Sequence, residues 1–484
     1  MKKTRCINLI LSAILILWFQ VIFAGSNEDL ISACKMGDLT AATKAIDGGA
    51  DVNFMDENGN TPIASAYFWP EITQLLLDKG ADPNKGNYPA LISACSVYSV
   101  DVVEKLLNAG ADPNKTGLSD PSVTFKTLIA NEKAKGKDAN KALIKAWEGA
   151  MASLKPSEVE LMQVIVMGTN AVPCLRMVIE KGASLNLKSG DLAIDVFVAY
   201  SMSKEERKNA CTQGAPNIEA FGIKVPDWYK DLPDNRIGTA TAMLDLLVNA
   251  GSDLNKPNSL GLTPLVVALK GCNATPEGKP GKMDVVNSLI ENGADPKLAA
   301  IQKMEKGSIE YFPICLAAEF GDVDMMSRMI DKGADINTGA KTNTLSFYNG
   351  TWGGEGYTPL IIAIMINNFE LANFLLDQGA DIKIGSSGFA LLDIADSENK
   401  ATISTKNKTP IYWAIDKGDM DLIKKISDKM DWSFNPDFSY KAYEGDLVMQ
   451  TGWGPLKLKG KNDLSPAMYA DIIGNKEAKK FLLK

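Results

Sequence analysis

The polar and apolar positions repeat one short sentence along the chain. In LLLDKGADPNK (75–85), Leu76 and Leu77 close the buried face of an amphipathic helix. Gly80 then offers the left-handed conformation that ends a helix without penalty from a Cβ. The Ala-Asp-Pro-Asn that follows is turn chemistry, in which Pro fixes φ and Asp and Asn bond their own backbone. The same sentence returns as KLLNAGADPNK (105–115) and FLLDQGADIKI (374–384). Its glycines are Gly49, Gly80, Gly110, Gly182, Gly251, Gly293, Gly333 and Gly379. The first two intervals are close to thirty residues and the later ones are longer. Self-similarity at that period predicts a solenoid, whose units bury their apolar faces only against neighbours.

A second phrase marks the other end of each unit: TPIASA from Thr61, TPLVVA from Thr263, TPLIIA from Thr358, TPIYWA from Thr409 and SPAMYA from Ser465. Thr or Ser caps a helix and Pro suits its first turn, so each phrase predicts a helix start. FPICLAAEFGDVDMMSRMIDKGADIN (312–337) carries a whole unit: first helix, Gly321-Asp322 turn, second helix, Gly333 stop.

This pattern resembles the ankyrin repeat, with its T-P-L-H-x-A-A opening, Gly turn, leucine-rich helix and G-A-D-x-N end. The resemblance implies an all-α ankyrin-repeat solenoid of helix-turn-helix units with β-hairpin finger loops. About ten units start near Glu28, Thr61, Pro89, Leu161, Asp191, Thr263, Phe312, Thr358, Thr409 and Ser465. Repeats 1–3 span 26–117; a helical, lysine-rich insert spans 118–156; repeats 4–10 span 157–484. Further insertions lie near 203–237, 271–282, 338–357, 384–408 and 432–464. Ala64, Val266, Cys315, Ile361 and Tyr412 stand where the family has His, so packing is expected to replace its bonds. Met430 stands where the ninth unit should have its Gly, and the lysines of EAKKFLLK suit a polar terminal cap.

Residues 1–24 differ in kind. A basic MKKTR precedes an apolar run ending near Ala24, which reads as a cleaved signal peptide of bacterial style. An uncleaved anchor is the alternative, because the run is just long enough to span a bilayer. Export to the periplasm is therefore expected, with membrane-anchored or secreted protein as the other outcomes. Six cysteines follow the leader. Cys34, Cys95, Cys174 and Cys315 read as small buried hydrophobes. Cys211 and Cys272, both in insertions, are the one candidate disulfide.

Composition narrows function further. The net charge of −8 argues against nonspecific binding to nucleic acid or anionic membranes. The chain has no histidine, which removes imidazole bases, Ser-His-Asp or Cys-His constellations and imidazole metal ligands. No C-x-x-C pair or phosphate-binding glycine loop occurs. Carboxylate pairs such as Asp227 with Asp231 and Asp393 with Asp396 are expected by chance among 59 acidic residues. No enzyme, cofactor or metal site is therefore expected. The lysines of 131–145 read as a solvated helix face.

Insertions in repeat arrays map to loops on one face, often the binding face. Aromatic residues crowd these loops: Phe347, Tyr348, Trp352 and Tyr357 in one, Trp432, Tyr440 and Trp453 in another. Tyr67, Phe68 and Trp69 fall near the concave surface that the resemblance assigns to partners. Trp and Tyr are favoured interface anchors. The expected function is a non-catalytic scaffold, a monomer, that binds a protein partner through the concave face and aromatic fingers. The resemblance allows an enzyme-protecting or immunity-type role; the alternative is a secreted effector that binds a host protein.

Overall fold

A computed structural model describes residues 27–151, 154–167, 171–200, 204–219, 223–236, 239–272, 279–341, 344, 352–393, 400–430, 439–442, 447–451, 454–458 and 465–484. It is mostly helical. The chain divides into two compact units, one through Ser252 and one from Asp253.

The N-terminal unit is a stack of helix pairs. These are 27–36 with Leu39–Asp47, Pro62–Ser65 with Pro70–Asp78, and Ala90–Ser96 with Val100–Asn108. Leu161–Val166 with Val172–Glu180 and Ala193–Tyr200 with Ala240–Asn249 follow. The capping chemistry works as the sequence dictates. Thr61 Oγ1 accepts from the Ala64 amide at 3.2 Å, with Pro62 in the first turn. At the other end Gly80 takes φ +88°, which lets the Ala81 amide reach Leu76 O at 2.9 Å. All eight predicted stop glycines have φ between +86° and +105°.

First helices pack on first helices and second on second, so Leu76, Leu106, Leu175 and Leu247 are all fully buried. Burying each such side chain contributes roughly 1.5–3 kcal/mol. The insert at 118–156 does not interrupt the stack. Strands Gly117–Ser119 and Ser157–Val159 pair antiparallel as a stalk. Helices Pro121–Ala134 and Lys141–Met151 form a hairpin beyond it, and Ala90–Ser96 still packs on Leu161–Val166.

The C-terminal unit repeats the scheme. Its pairs are Pro264–Cys272 with Lys279–Glu291, Pro313–Phe320 with Val323–Asp331, and Pro359–Met365 with Phe369–Asp377. Pro410–Lys417 with Met420–Lys429 and Pro466–Ile472 with Lys476–Leu482 complete it. The former His positions are packed: Ala64, Val266, Cys315, Ile361 and Tyr412 are all buried. Cys315 also directs its thiol to Thr338 O in the next turn at 3.4 Å. At the ninth unit Met430 is extended (φ −73°, ψ 132°), where glycine elsewhere turns the chain.

The finger loops carry more strand than separate hairpins would give. Strands Trp352–Glu355, Ser386–Asp393, Lys400–Lys408 and Ser439–Ala442 form a four-stranded antiparallel sheet in that order. They come from three successive extended fingers. Once fingers outgrow a turn, their backbone polar groups need partners, and the neighbouring finger supplies them. Glycine permits the approach: a Cβ on Gly354 would lie 2.2 Å from Ser387 O. No described helix is long and apolar enough to cross a membrane.

Candidate partner-binding surface

The G-A-D turns form a ladder that the sequence reading missed. Asp82 does bond locally, its Oδ1 accepting from the Asn84 amide at 2.8 Å. Asn84, however, reaches the next repeat instead of its own backbone. Its Nδ2 donates to Gly110 O at 2.9 Å and its Oδ1 accepts from the Asp112 amide at 2.8 Å. Asn53 makes the same two bonds to Gly80 and Asp82. Asn114 makes them to Gly182 and Ser184, across the whole 118–156 insert. In the C-terminal unit Asn255 bonds Gly293 and Asp295, and Asn337 accepts from Asp381. Lys297 and Lys383 occupy the equivalent places after Asp295 and Asp381. A lysine has no acceptor, so it cannot make the paired rung.

The predicted anchor Tyr67-Phe68-Trp69 needs correction. Phe68 is 2% exposed because the 203–237 insertion folds back over it. The rings of Trp228 and Tyr229 stand 5.9 and 5.3 Å from Phe68. The Lys224 amide donates to Lys35 O at 3.1 Å, and its ammonium lies 5.6 Å above Trp69. Arg236 donates to Tyr98 O at 3.1 Å and to Asp101 at 2.6 Å, while stacking 4.2 Å from Trp228. Val225, Tyr229 and Leu232 are buried beneath this strap. Phe68 is thus intrachain core, with Tyr67 and Trp69 half-buried beside it, and burial pushes the Tyr67 phenol up to about 12. Asp227 and Asp231, once paired as candidate carboxylates, are exposed at the ends of the strap's short helix.

Tyr357 is likewise core, at 4% exposed. Its backbone pairs with Ala340 at the base of the finger, and its ring faces Trp413 at 6.3 Å. Burial pushes its phenol up to about 12, against a smaller opposing effect of Ser386. Trp413 in turn donates to Ser386 Oγ at 3.1 Å. Phe347, Tyr348, Trp432 and Trp453 lie outside the described residues. Trp352 and Tyr440 sit in strands, but their side chains lie outside the description, as do those of Cys211 and Cys272. Cys34, Cys95, Cys174 and Cys315 are free and buried. Cys95 and Cys174 prove to be in mutual contact, and burial holds the Cys95 thiol well above its ordinary value.

Among the described residues, exposed side chains and a cleft lie on the finger side of the C-terminal unit. Hairpin Ala300–Lys303/Ser308–Tyr311 buries Ala300 and Tyr311 on one side. On the other it presents the cross-strand pair Ile301 and Glu310, with Ile301 51% exposed. Met304 at the hairpin end is equally exposed. Next to it a cleft of about 390 Å³ is lined by Glu310, Gly339, Lys341, Glu355, Gly356 and Ser387 among others. Glu355 and Ser387 are opposite one another in the finger sheet. Neither carboxylate, nor the Lys341 ammonium, has a hydrogen-bond or ion-pair partner among the described residues.

A family model described as ankyrin repeats (3 copies) matches residues 30–117 and 274–386. Over 64 residues the chain is 47% identical to the E3 ubiquitin-protein ligase hecd-1 of Caenorhabditis elegans. That stretch is 13% of this chain and 2% of the ligase, so the chain spans a small fraction of that relative's length. The chain therefore carries ankyrin repeats, modules whose role is protein–protein interaction.

Proposed function

We propose that this chain is a non-catalytic protein-binding scaffold of the bacterial cell envelope, in which each helix pair is one ankyrin-type unit. One observation carries the binding reading. Three fingers of the C-terminal unit are fixed to one another by strand pairing, and a separate two-stranded hairpin beside them exposes Ile301, Met304 and Glu310 next to a cleft. Preorganised loops lose little entropy on binding, so an exposed face of this kind favours association. The envelope assignment rests on the basic-then-apolar composition of residues 1–24. The partner is a protein, engaged by the protomer through its finger face; a protective or immunity-type role is the finer form of this proposal.

The test is affinity capture of the full tagged chain from osmotic-shock, membrane and medium fractions, with crosslinking and mass spectrometry. Lys303, Lys306 and Lys341 flank the hairpin and cleft and supply crosslinking amines. The expected result is one stoichiometric partner in the osmotic-shock fraction, crosslinked through these lysines. Crosslinks confined to the second-helix backs, or no partner in any fraction, would overturn the proposal.

A further inference from the structure

The cleft in the C-terminal unit has a chemistry that selects its occupant. Gly339, Gly356 and Gly385 are three of the residues that line it, with Phe312 among the others. A Cβ on Gly339 would stand 2.9 Å from Gly356 Cα, and a Cβ on Gly356 would stand 2.9 Å from Gly385 O. The fingers therefore touch backbone to backbone, and no side chain from these positions fills the space above. The volume falls within the roughly 300–1,000 Å³ of ordinary ligand clefts.

The walls are unequal in charge. Glu310 and Glu355 bring two carboxylates without partners among the described residues, against the single ammonium of Lys341. Ile301 shares the Glu310 face of the hairpin, because the two residues pair directly across its strands. Directly paired side chains stand about 4.5–5.5 Å apart. In an extended segment, residues i and i+2 point the same way at a spacing of about 6.6 Å. One strand-like segment thus presents a basic residue to the carboxylates and an apolar residue, two positions away, to Ile301. A nucleic acid would bring phosphates against both carboxylates, and a flat lipid surface does not enter a cleft.

We infer that this cleft takes an extended segment of a partner protein, with Lys or Arg held between Glu310 and Glu355 and an apolar residue at i±2 resting on Ile301. The inference deepens the scaffold reading and rests on it.

The probe is a fluorescein-labelled heptapeptide of alternating Val and Lys, compared with Val-Gln and Val-Glu versions. Binding to the full chain is read by fluorescence anisotropy at low and at moderate salt. The Val-Lys peptide should bind about tenfold more tightly than Val-Gln, the margin expected from two partly exposed charge pairs. That margin should shrink as salt rises. Glu310→Gln with Glu355→Gln should abolish it. Lys341→Gln, which removes the opposing charge, should tighten the Val-Lys peptide, a gain that a misfolded variant would not produce. Ile301→Ser should weaken all three peptides alike.

Equal binding of Val-Lys and Val-Glu, or insensitivity to the double Gln change, overturns the assignment. If those results coincide with successful partner capture through the finger lysines, the cleft is refuted and the scaffold reading stands. If capture fails as well, both fall.

Discussion

Replacing Asn84 with Ala removes one rung between the second and third helix pairs and almost nothing else. Two bonds go, to Gly110 O at 2.9 Å and from the Asp112 amide at 2.8 Å. A neutral hydrogen bond contributes about 0.5–1.5 kcal/mol net. Gly110 and Asp112 are exposed, so water can satisfy both freed groups and no buried orphan is left. The expected loss is therefore about 1–2 kcal/mol, the lower half of the sum of two such bonds. In a repeat array this loss falls on a nearest-neighbour interface term rather than on one unit's own stability. Hydrogen exchange separates the two. The Asp112 amide has Asn84 as its acceptor, whereas the adjacent Ala111 amide is held by Leu106 O at 2.9 Å. Asn84→Ala should speed exchange at Asp112 about tenfold, the equivalent of 1.4 kcal/mol, and leave Ala111 nearly unchanged. The converse change is available in the C-terminal unit. Lys297→Asn would face the Gly333-Ala334-Asp335 turn and should add roughly 1 kcal/mol if it completes a rung. Unchanged exchange at Asp112 in Asn84→Ala would refute the ladder as an energetic coupling.

Other perturbations test the corrected surface. Phe68→Ala should cost about 3–5 kcal/mol of stability by chemical denaturation, as for a filled core site, whereas Ile301→Ser should stay within about 0.5 kcal/mol. Arg236→Ala loses bonds to Tyr98 O and Asp101 and the stack on Trp228, and should accelerate native-state tryptic cleavage after Lys224 and Lys230. Iodoacetamide at pH 8 should leave Cys34, Cys95, Cys174 and Cys315 unmodified until denaturant is added, since all four are at most 2% exposed. With no histidine, stability should be flat from about pH 6 to 8, where no other side chain titrates at its ordinary value. Burial holds Cys34, Tyr67 and Tyr357 protonated to about 12, against ordinary values of 9.0 and 10.0. Their folded values are raised, so their contribution is complete below about pH 9 and is lost as pH rises toward 12. Each group contributes at most about 1.4 kcal/mol per pH unit over its window, readable as a falling urea midpoint.

The helix pairs were legible because every signal that makes them is local. Thr61, Pro62 and Gly80 each act within about four residues, through a cap, a fixed φ and a left-handed stop, so a single sequence suffices to place them. The ladder was half legible. Asp and Asn announced a turn, but the Asn acts across 26 to 68 residues, a distance set by how much chain is looped out between neighbours. The surface was the least legible part, for a physical reason that Phe68 and Tyr357 share. An exposed aromatic anchor and an aromatic covered by its own chain have the same composition; what differs is where an insertion returns. VPDWYK in the 203–237 insertion carries Val225 and Tyr229 at helical spacing with Leu232 beyond, a set of anchors that needed somewhere to be buried. That somewhere was the aromatic trio at 67–69, and an insertion with its own apolar anchors is better read as a cover than as a free loop. The finger sheet follows the same logic. Fingers long enough to leave their backbone unpaired bond one another wherever glycine lets them approach, as at Gly354 beside Ser387. Of the residues left for a partner, Glu355 stands exposed on the edge strand of that sheet, whereas Ile301 and Glu310 stand exposed on a separate two-stranded hairpin.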